Sequence, residues 1–186
     1  MNDARDQSRI QPVDPQHATG KTRRLFGQVR AKLGLVPNLL RVLANAPVAL
    51  EGYLNFSAAL AKGTLDEKIR EQIALTVAES NLCGYCLSAH TYLGEKVGLT
   101  PQEISNAVSA SAAVSKADAI LKLARSIVVQ RGEVSDSDLQ RARVAGLTDG
   151  EIVETVANVA LNIFTNYVNH VARIVVDFPK VTPGAA

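Results

Sequence analysis

Helix starts punctuate this chain. Thr64 is followed by Glu67, Thr100 by Glu103 and Thr148 by Glu151, and each Thr-x-x-Glu leads into a run whose apolar residues recur at helical spacing. In such a box the threonine hydroxyl and the glutamate carboxylate satisfy backbone N–H groups that a first turn leaves unpaired. Pro101, at a first helical position, strengthens the second box. Pro47 opens another helix, and Ser115 with Asp118 is a weaker form of the same signal. β-Branched residues are scattered rather than alternating, and no strand pair or Asn-Gly hairpin is present. The pattern predicts helices over 21–33, 38–45, 47–62, 65–80, 83–97, 101–111, 115–131, 135–145 and 149–173. The expected fold is all-α, a single-domain helical bundle, because 186 residues build one sizeable core but not comfortably two.

The bundle is expected to be flanked by a flexible or loosely docked arm at 1–20, with Pro12, Pro15 and Gly20, and by a Pro/Gly tail at 179–186. A weak internal repeat runs through it. Gly98-Leu99-Thr100 up to Ile104 resembles Gly146-Leu147-Thr148 up to Ile152, and Thr76-Val77-Ala78 ahead of His90 resembles Thr155-Val156-Ala157 ahead of His170. Two related helical units would account for both echoes.

Composition excludes several functions. A net charge of +2, with Arg5, Arg9, Lys21, Arg23 and Arg24 near the N-terminus and no interleaved aromatics, is not a nucleic-acid-binding surface. No apolar stretch reaches the ~18 residues of a membrane span, and Met1 to Gly20 has no hydrophobic segment of the secretory kind. A cytoplasmic protein is expected. The two cysteines then call for an explanation other than a disulfide framework.

They stand as Cys83-Gly84-Tyr85-Cys86, four residues before His90. Asn81 and Gly84 suggest that one helix ends and another begins here, which would put Cys83 in a first turn. There, unpaired N–H groups and the helix dipole favour thiolate. At about 100° per residue, Cys83, Cys86 and His90 fall within a sector of about 60°, with Cys86 and His90 at the i, i+4 spacing where side chains meet. A histidine so placed can move a proton for the sulfur, and Glu71, on the preceding helix, can fold back to hold the imidazole. The dipole nominates Cys83 for the low pKa, and the histidine nominates Cys86. Three blander readings stand beside the redox one. A structural disulfide closing a loop of about four residues gains roughly 2 kcal/mol, against ~4.7 for a hundred-residue loop. A zinc site would have Cys83, Cys86 and His90 but would need a fourth ligand such as His170, His17 or a carboxylate. Two unreactive buried thiols are the third.

The pattern Glu71-x11-Cys83-x2-Cys86-x3-His90 resembles the signature of the alkylhydroperoxidase D (AhpD-like) branch of the carboxymuconolactone decarboxylase family. The likeness extends to Gly34-Leu35-Val36-Pro37-Asn38-Leu39, to Arg70-Glu71 and to the segment Asn162 to His170, which resembles the peroxidase-related subgroup; it covers residues 21–178. It implies an AhpD-like helical domain over 21–178, assembly into a homo-oligomer (trimer or hexamer), and reduction of organic hydroperoxides. It further implies Cys86 as the peroxidatic and Cys83 as the resolving cysteine, with His90 and Glu71 as proton relay. No bound cofactor or metal is implied, but an external dithiol donor, lipoyl or thioredoxin-like, is required. A lactone decarboxylase, or a metal-binding or redox-sensing protein, is the alternative on the same fold. Members of the family can carry a histidine between the cysteines where this chain has Tyr85. Tyr85 and His170 are candidates to line the site, and Glu79, one turn before Cys83, is an alternative carboxylate. Asn158, Asn162, Asn166 and Asn169, spaced 4, 4 and 3, form a polar stripe on the last helix, read as an interface or interhelical hydrogen-bond network rather than a site lining.

Overall fold

The computed structural model describes residues 8–184. Among them are nine helices and no strand: α1 (Gly20–Leu33), α2 (Asn38–Leu43), α3 (Pro47–Leu60), α4 (Glu67–Ser80), α5 (Gly84–Lys96), α6 (Pro101–Val108), α7 (Ser115–Val129), α8 (Asp136–Val144) and α9 (Asp149–Ala172). The all-α architecture is the expected one, and the predicted helix limits differ from these by at most three residues, chiefly at C-termini.

The helix α4 is the axis of the bundle. Its residues Gln72 to Ala78 are buried without a break, and α5, α6, α7 and α9 pack around it. A helix enclosed on all sides is apolar all round, as Ile73, Ala74, Leu75, Val77 and Ala78 make this one. Its one buried hydroxyl, Thr76 Oγ1, donates to the carbonyl of Ala107 in α6 at 2.6 Å. The 24-residue α9 runs about 36 Å along the bundle and touches α2, α3, α4, α5 and α7.

Two of the three predicted capping boxes form, at Thr100 and Thr148. The Thr64 box does not: α4 starts two residues later, capped by Asp66, whose Oδ1 accepts from the N–H of Ile69 at 2.9 Å. Thr64 instead gives its backbone N–H and its hydroxyl to the Glu154 carboxylate of α9, at 2.8 Å each. A tertiary carboxylate thus outcompetes the local one. The Ser115 signal also fails as a cap. Val114 occupies the N-cap without a side-chain bond, and Asp118 turns back to the N–H of Ala112 at 3.1 Å. A box that the sequence reading missed, Ser135 with Asp138, opens α8.

The echo between residues 98–104 and 146–152 is one junction built twice. Gly98 and Gly146 adopt the left-handed region at φ +83° and +92°, and the N–H groups of Leu99 and Leu147 return to the carbonyls of Gly94 and Ala142 at 2.9 and 3.1 Å. A capping box follows in each.

Residues 8–19, the described part of the expected arm, lie against the body. The N–H of Arg9 donates to the carbonyl of Ala172 at 2.7 Å and that of Val13 to the carbonyl of Arg41 at 3.1 Å, and Ala18 is buried. Arg5 and the rest of 1–7 fall outside the described residues, as do 185–186. The tail is tied down over the start of α5: the N–H of Val181 donates to Ser88 Oγ at 2.9 Å, and Pro183 packs on Gly84.

Candidate active site

The turn between α4 and α5 sets the sulfur positions. Asn81 ends α4, and Leu82 then takes φ +52°, a conformation glycine adopts more easily and one that costs a branched side chain about 1–2 kcal/mol. This reversal, closed by the N–H of Cys83 on the carbonyl of Ala78 at 2.8 Å, makes Cys83 the N-cap of α5 rather than a member of its first turn. The Cys83 sulfur takes the place of a capping oxygen and accepts the N–H of Cys86 at 3.4 Å.

Both cysteines are free thiols, each 2% exposed, with their sulfurs 2.7 Å apart. The thiol of Cys86 beside it holds the Cys83 pKa below the ordinary value; burial opposes this, while the N–H groups of Cys86 and Tyr85 and the charge of His90 support it. Cys86 moves the other way, raised by the same shared hydrogen bond and by burial. Of the two thiols, Cys83 is therefore the one that ionises first.

His90 and Glu71 meet across α5 and α4, with Nδ1 to Oε2 at 2.8 Å and each side chain about one-fifth exposed (20% and 19%). Burial pulls the imidazole pKa down, but the carboxylate charge and hydrogen bond of Glu71, followed by the charge on Cys83, more than offset it, and the net direction is up. An imidazole held this way, with Nδ1 toward the carboxylate, presents Nε2 for proton transfer.

The remaining nominated residues fall in different places. The Tyr85 hydroxyl is committed: it donates to Asp177 Oδ1 at 2.7 Å and accepts the N–H of Leu39 at 3.1 Å, tying α5 to α2 and to the C-terminal segment. Burial and Asp177 drive its pKa far up. Its ring does line a recess of about 90 Å³ together with Leu35, Leu39, Tyr53, Phe178 and His90. His170 is exposed, its Nε2 2.9 Å from the carbonyl of Asn81, and His17 is exposed and pairs with Asp14. Glu79 accepts the N–H of Gly184 at 2.6 Å and does not reach His90. Among the described residues no three His, Cys, Asp or Glu side chains gather as metal ligands.

Tyr53 was not foreseen, and the asparagine stripe proves to reach the site. Tyr53, on α3, faces the recess with its pKa pushed up to about 12 by burial, then by the charges of Glu71 and Cys86; nothing in the sequence around it marks it. The asparagine stripe, read as an interface or interhelical hydrogen-bond network rather than a site lining, is interhelical and at one end also meets the site. All four amides are buried. Asn158 and Asn162 donate back to the carbonyls of Glu154 and Asn158 at 2.8 and 2.9 Å, while Asn166 Oδ1 accepts from Asn81 Nδ2 at 2.9 Å and Asn169 Nδ2 donates to Cys86 Sγ at 3.1 Å. Four amides in an apolar helix were the available signal, and only the packing of α9 against α4 and α5 tells which end meets a sulfur.

Known proteins share this arrangement of helices. A segment of 92 residues is 28% identical to an alkyl hydroperoxide reductase of Mycobacterium tuberculosis, covering 49% of this chain and 27% of that relative, so the chain spans only about a quarter of its length. The alkylhydroperoxidase AhpD core of a peroxidase-related protein from Ralstonia eutropha superposes with a TM-score of 0.81 at 23% identity, over 90% of both chains. The debrominase Bmp8, in complex with 2,3,4-tribromopyrrole, superposes with a TM-score of 0.78 at 14% identity, over 90% of this chain and 91% of that one. The family match itself runs over residues 47–127, from the start of α3 into α7, and so takes in Glu71, both cysteines and His90. Over that segment the chain resembles the carboxymuconolactone decarboxylase family.

Proposed function

We propose that this chain is a thiol-dependent peroxidase that reduces organic hydroperoxides at Cys83 and Cys86. The observation that carries the reading is the pair of buried sulfurs 2.7 Å apart, next to a histidine held by a carboxylate. Proton transfer from Cys86 to Cys83 over that distance produces the attacking Cys86 thiolate, which the Asn169 amide stabilises at 3.1 Å. The thiolate attacks the outer peroxide oxygen, the O–O bond breaks, and His90 delivers a proton to the departing alkoxide. Cys86 is left as a sulfenic acid. Cys83, whose pKa is depressed, gives up the proton it took and attacks the Cys86 sulfur as a thiolate; the S–O bond breaks, the departing hydroxide takes that proton and leaves as water, and a disulfide remains. An external dithiol, lipoyl or thioredoxin-like, restores both thiols by exchange and is itself oxidised to a disulfide. The chain binds no cofactor of its own in this scheme. Its setting is the cytosol, where such donors are kept reduced, and no helix among the described residues is long and apolar enough to cross a membrane.

The same proposal includes a homo-oligomer, trimer or hexamer. Val153, Val156, Phe164, Tyr167 and Val171 stand exposed along the outer side of α9, an apolar stripe that a second copy would cover.

The test is consumption of cumene hydroperoxide with a dithiol donor, together with thiol titration before and after one equivalent of peroxide. Two thiols per chain should disappear and return with dithiothreitol, and Cys86→Ser should abolish turnover. Undiminished turnover by that variant would end the proposal, and turnover of a carboxymuconolactone by a cysteine-free variant would favour lactone chemistry instead. A second reading, reductive debromination by the same thiols, is favoured by the aromatic lining of the recess, with Tyr53, Tyr85 and Phe178 beside His90. Release of bromide from a bromopyrrole with no peroxide turnover would select it.

A further inference from the structure

Two buried amide atoms at the Cys86 end of the stripe lack an oxygen partner, and they are complementary: Asn169 Oδ1 is a bare acceptor, and Asn166 Nδ2 is a donor without a well-formed hydrogen bond, its amide facing the Cys86 sulfur and favouring the thiolate there. Both side chains are almost wholly enclosed, at 5% and 0% exposure. Their orientations are set by other bonds. Asn169 Nδ2 must face the Thr165 carbonyl, to which it donates at 2.9 Å, as well as Cys86 Sγ. Asn166 Oδ1 must face the Asn81 amide. Neither amide can rotate to satisfy its bare atom without breaking a bond it already makes. The other two asparagines of the stripe, Asn158 and Asn162, have no such orphan atom among the described residues, so the defect is confined to the end of the stripe that meets the sulfur. Buried polar groups left unpaired in a folded protein call for a functional account.

We infer that Asn166 and Asn169 form an amide cradle that receives the oxygen placed on the Cys86 sulfur. A sulfenic acid S–O–H has one oxygen that accepts and one hydrogen that donates. Asn166 Nδ2 supplies the donor for that oxygen and Asn169 Oδ1 the acceptor for its hydrogen, while Asn169 Nδ2 already supports the sulfur before oxidation. Once the thiolate has taken the outer oxygen and the alcohol has left, both orphan atoms acquire partners. When Cys83 attacks, the S–O bond breaks, and hydroxide departs with a proton as water. The cradle thus favours oxidation at Cys86 over Cys83, whose sulfur faces backbone N–H groups instead. Both asparagines act on the reaction through Cys86, as positioning residues. The inference rests on the peroxidase reading and assigns the landing place of the oxygen.

The experiment uses the Cys83→Ser protein, in which a sulfenic acid on Cys86 cannot be resolved, treated with one equivalent of cumene hydroperoxide. Dimedone trapping and mass spectrometry report the rate and site of oxidation. Iodoacetamide alkylation across pH reports the Cys86 ionisation midpoint. Adding Asn169→Ala should slow adduct formation about 10-fold, the loss expected for one hydrogen bond to a charged group, and move the alkylation midpoint to higher pH. Asn166→Ala should shorten the life of the sulfenic acid with a smaller change in the midpoint. Asn158→Ala, on the same helix but away from the sulfur, should match the Cys83→Ser parent, and circular dichroism confirms that each variant is folded. If Asn169→Ala does not fold, the isosteric Asn169→Asp replaces it, with the same predicted rise in midpoint. Absence of any Cys86 adduct in the parent even above its Cys86 alkylation midpoint, where the thiolate forms without Cys83, would overturn the peroxidase reading itself. A normal adduct in the parent with unchanged rate and midpoint in the asparagine variants would overturn the cradle alone, as would an equal loss in Asn158→Ala.

Discussion

Replacing Glu71 by glutamine removes a charge and almost no volume, and the structure says where the loss should appear. Glu71 Oε2 and His90 Nδ1 are 2.8 Å apart and each side chain is about one-fifth exposed (19% and 20%), so the bond is charge-assisted but partly screened. A hydrogen bond to a charged group contributes about 1.5–3 kcal/mol. Partial exposure places this one near the lower end, so losing about 1.5–2 kcal/mol should lower kcat/KM about 10- to 30-fold at neutral pH. The pH profile should change as well. Burial alone lowers the His90 pKa and Glu71 reverses that. Glu71→Gln leaves burial opposed only by the charge of Cys83, and the basic limb, where imidazolium loses its proton, should move to lower pH, with part of the lost rate recovered there. Stability follows the same linkage. The folded pKa of His90 lies above its ordinary value of 6.5, so its contribution is fully present below about pH 6.5 and is lost as pH rises through the folded value. Urea unfolding of the native protein should therefore weaken over that rise, and Glu71→Gln should lack this component. Stopped-flow peroxide consumption from pH 5 to 9, with nuclear magnetic resonance titration of the His90 ring, makes the measurement. An unmoved basic limb together with an unmoved His90 titration would refute the reasoning.

Glu154→Ala leaves the N–H of Thr64 and the N–H of Leu65 without their carboxylate and should lower stability by about 1–3 kcal/mol in urea unfolding, or about 3–10 °C in Tm. Burial pushes the Glu154 pKa up but those two N–H groups prevail and hold it down. Its contribution is accordingly present above the ordinary glutamate value of 4.5 and lost as pH falls through the folded value, and the variant should show a shallower acid transition. Tyr85→Phe keeps the ring in the recess but strands the buried N–H of Leu39, at a cost of about 1–3 kcal/mol measured by thermal melting. Phe164→Glu combined with Val171→Glu places charge on the exposed α9 stripe and should shift sedimentation from oligomer to monomer with the helical circular dichroism unchanged.

Element type and order were legible because this chain marks its helices locally. Thr100, Pro101 and Thr148 act within one turn of themselves, and a neighbour elsewhere in the bundle need not be known to read them. Where a distant group competed, the local signal failed: Glu154 claimed Thr64, and Asp66 took over the cap. The same division runs through the site. The spacing of Cys83, Cys86 and His90 is a property of one helix and its cap, so the sequence alone determined that these three would lie together. Glu71 was nominated from the neighbouring helix, and α4 packing on α5 brought it within hydrogen-bond distance of His90. Tertiary structure alone decided the surroundings of each sulfur. Residue 169 meets residue 86 only because α9 crosses the start of α5, and Tyr53 shares a recess with His90 only because α3 borders it. Local hydrogen bonding and periodicity are written along the chain, whereas the partner of a buried polar atom is set by which helices share a core.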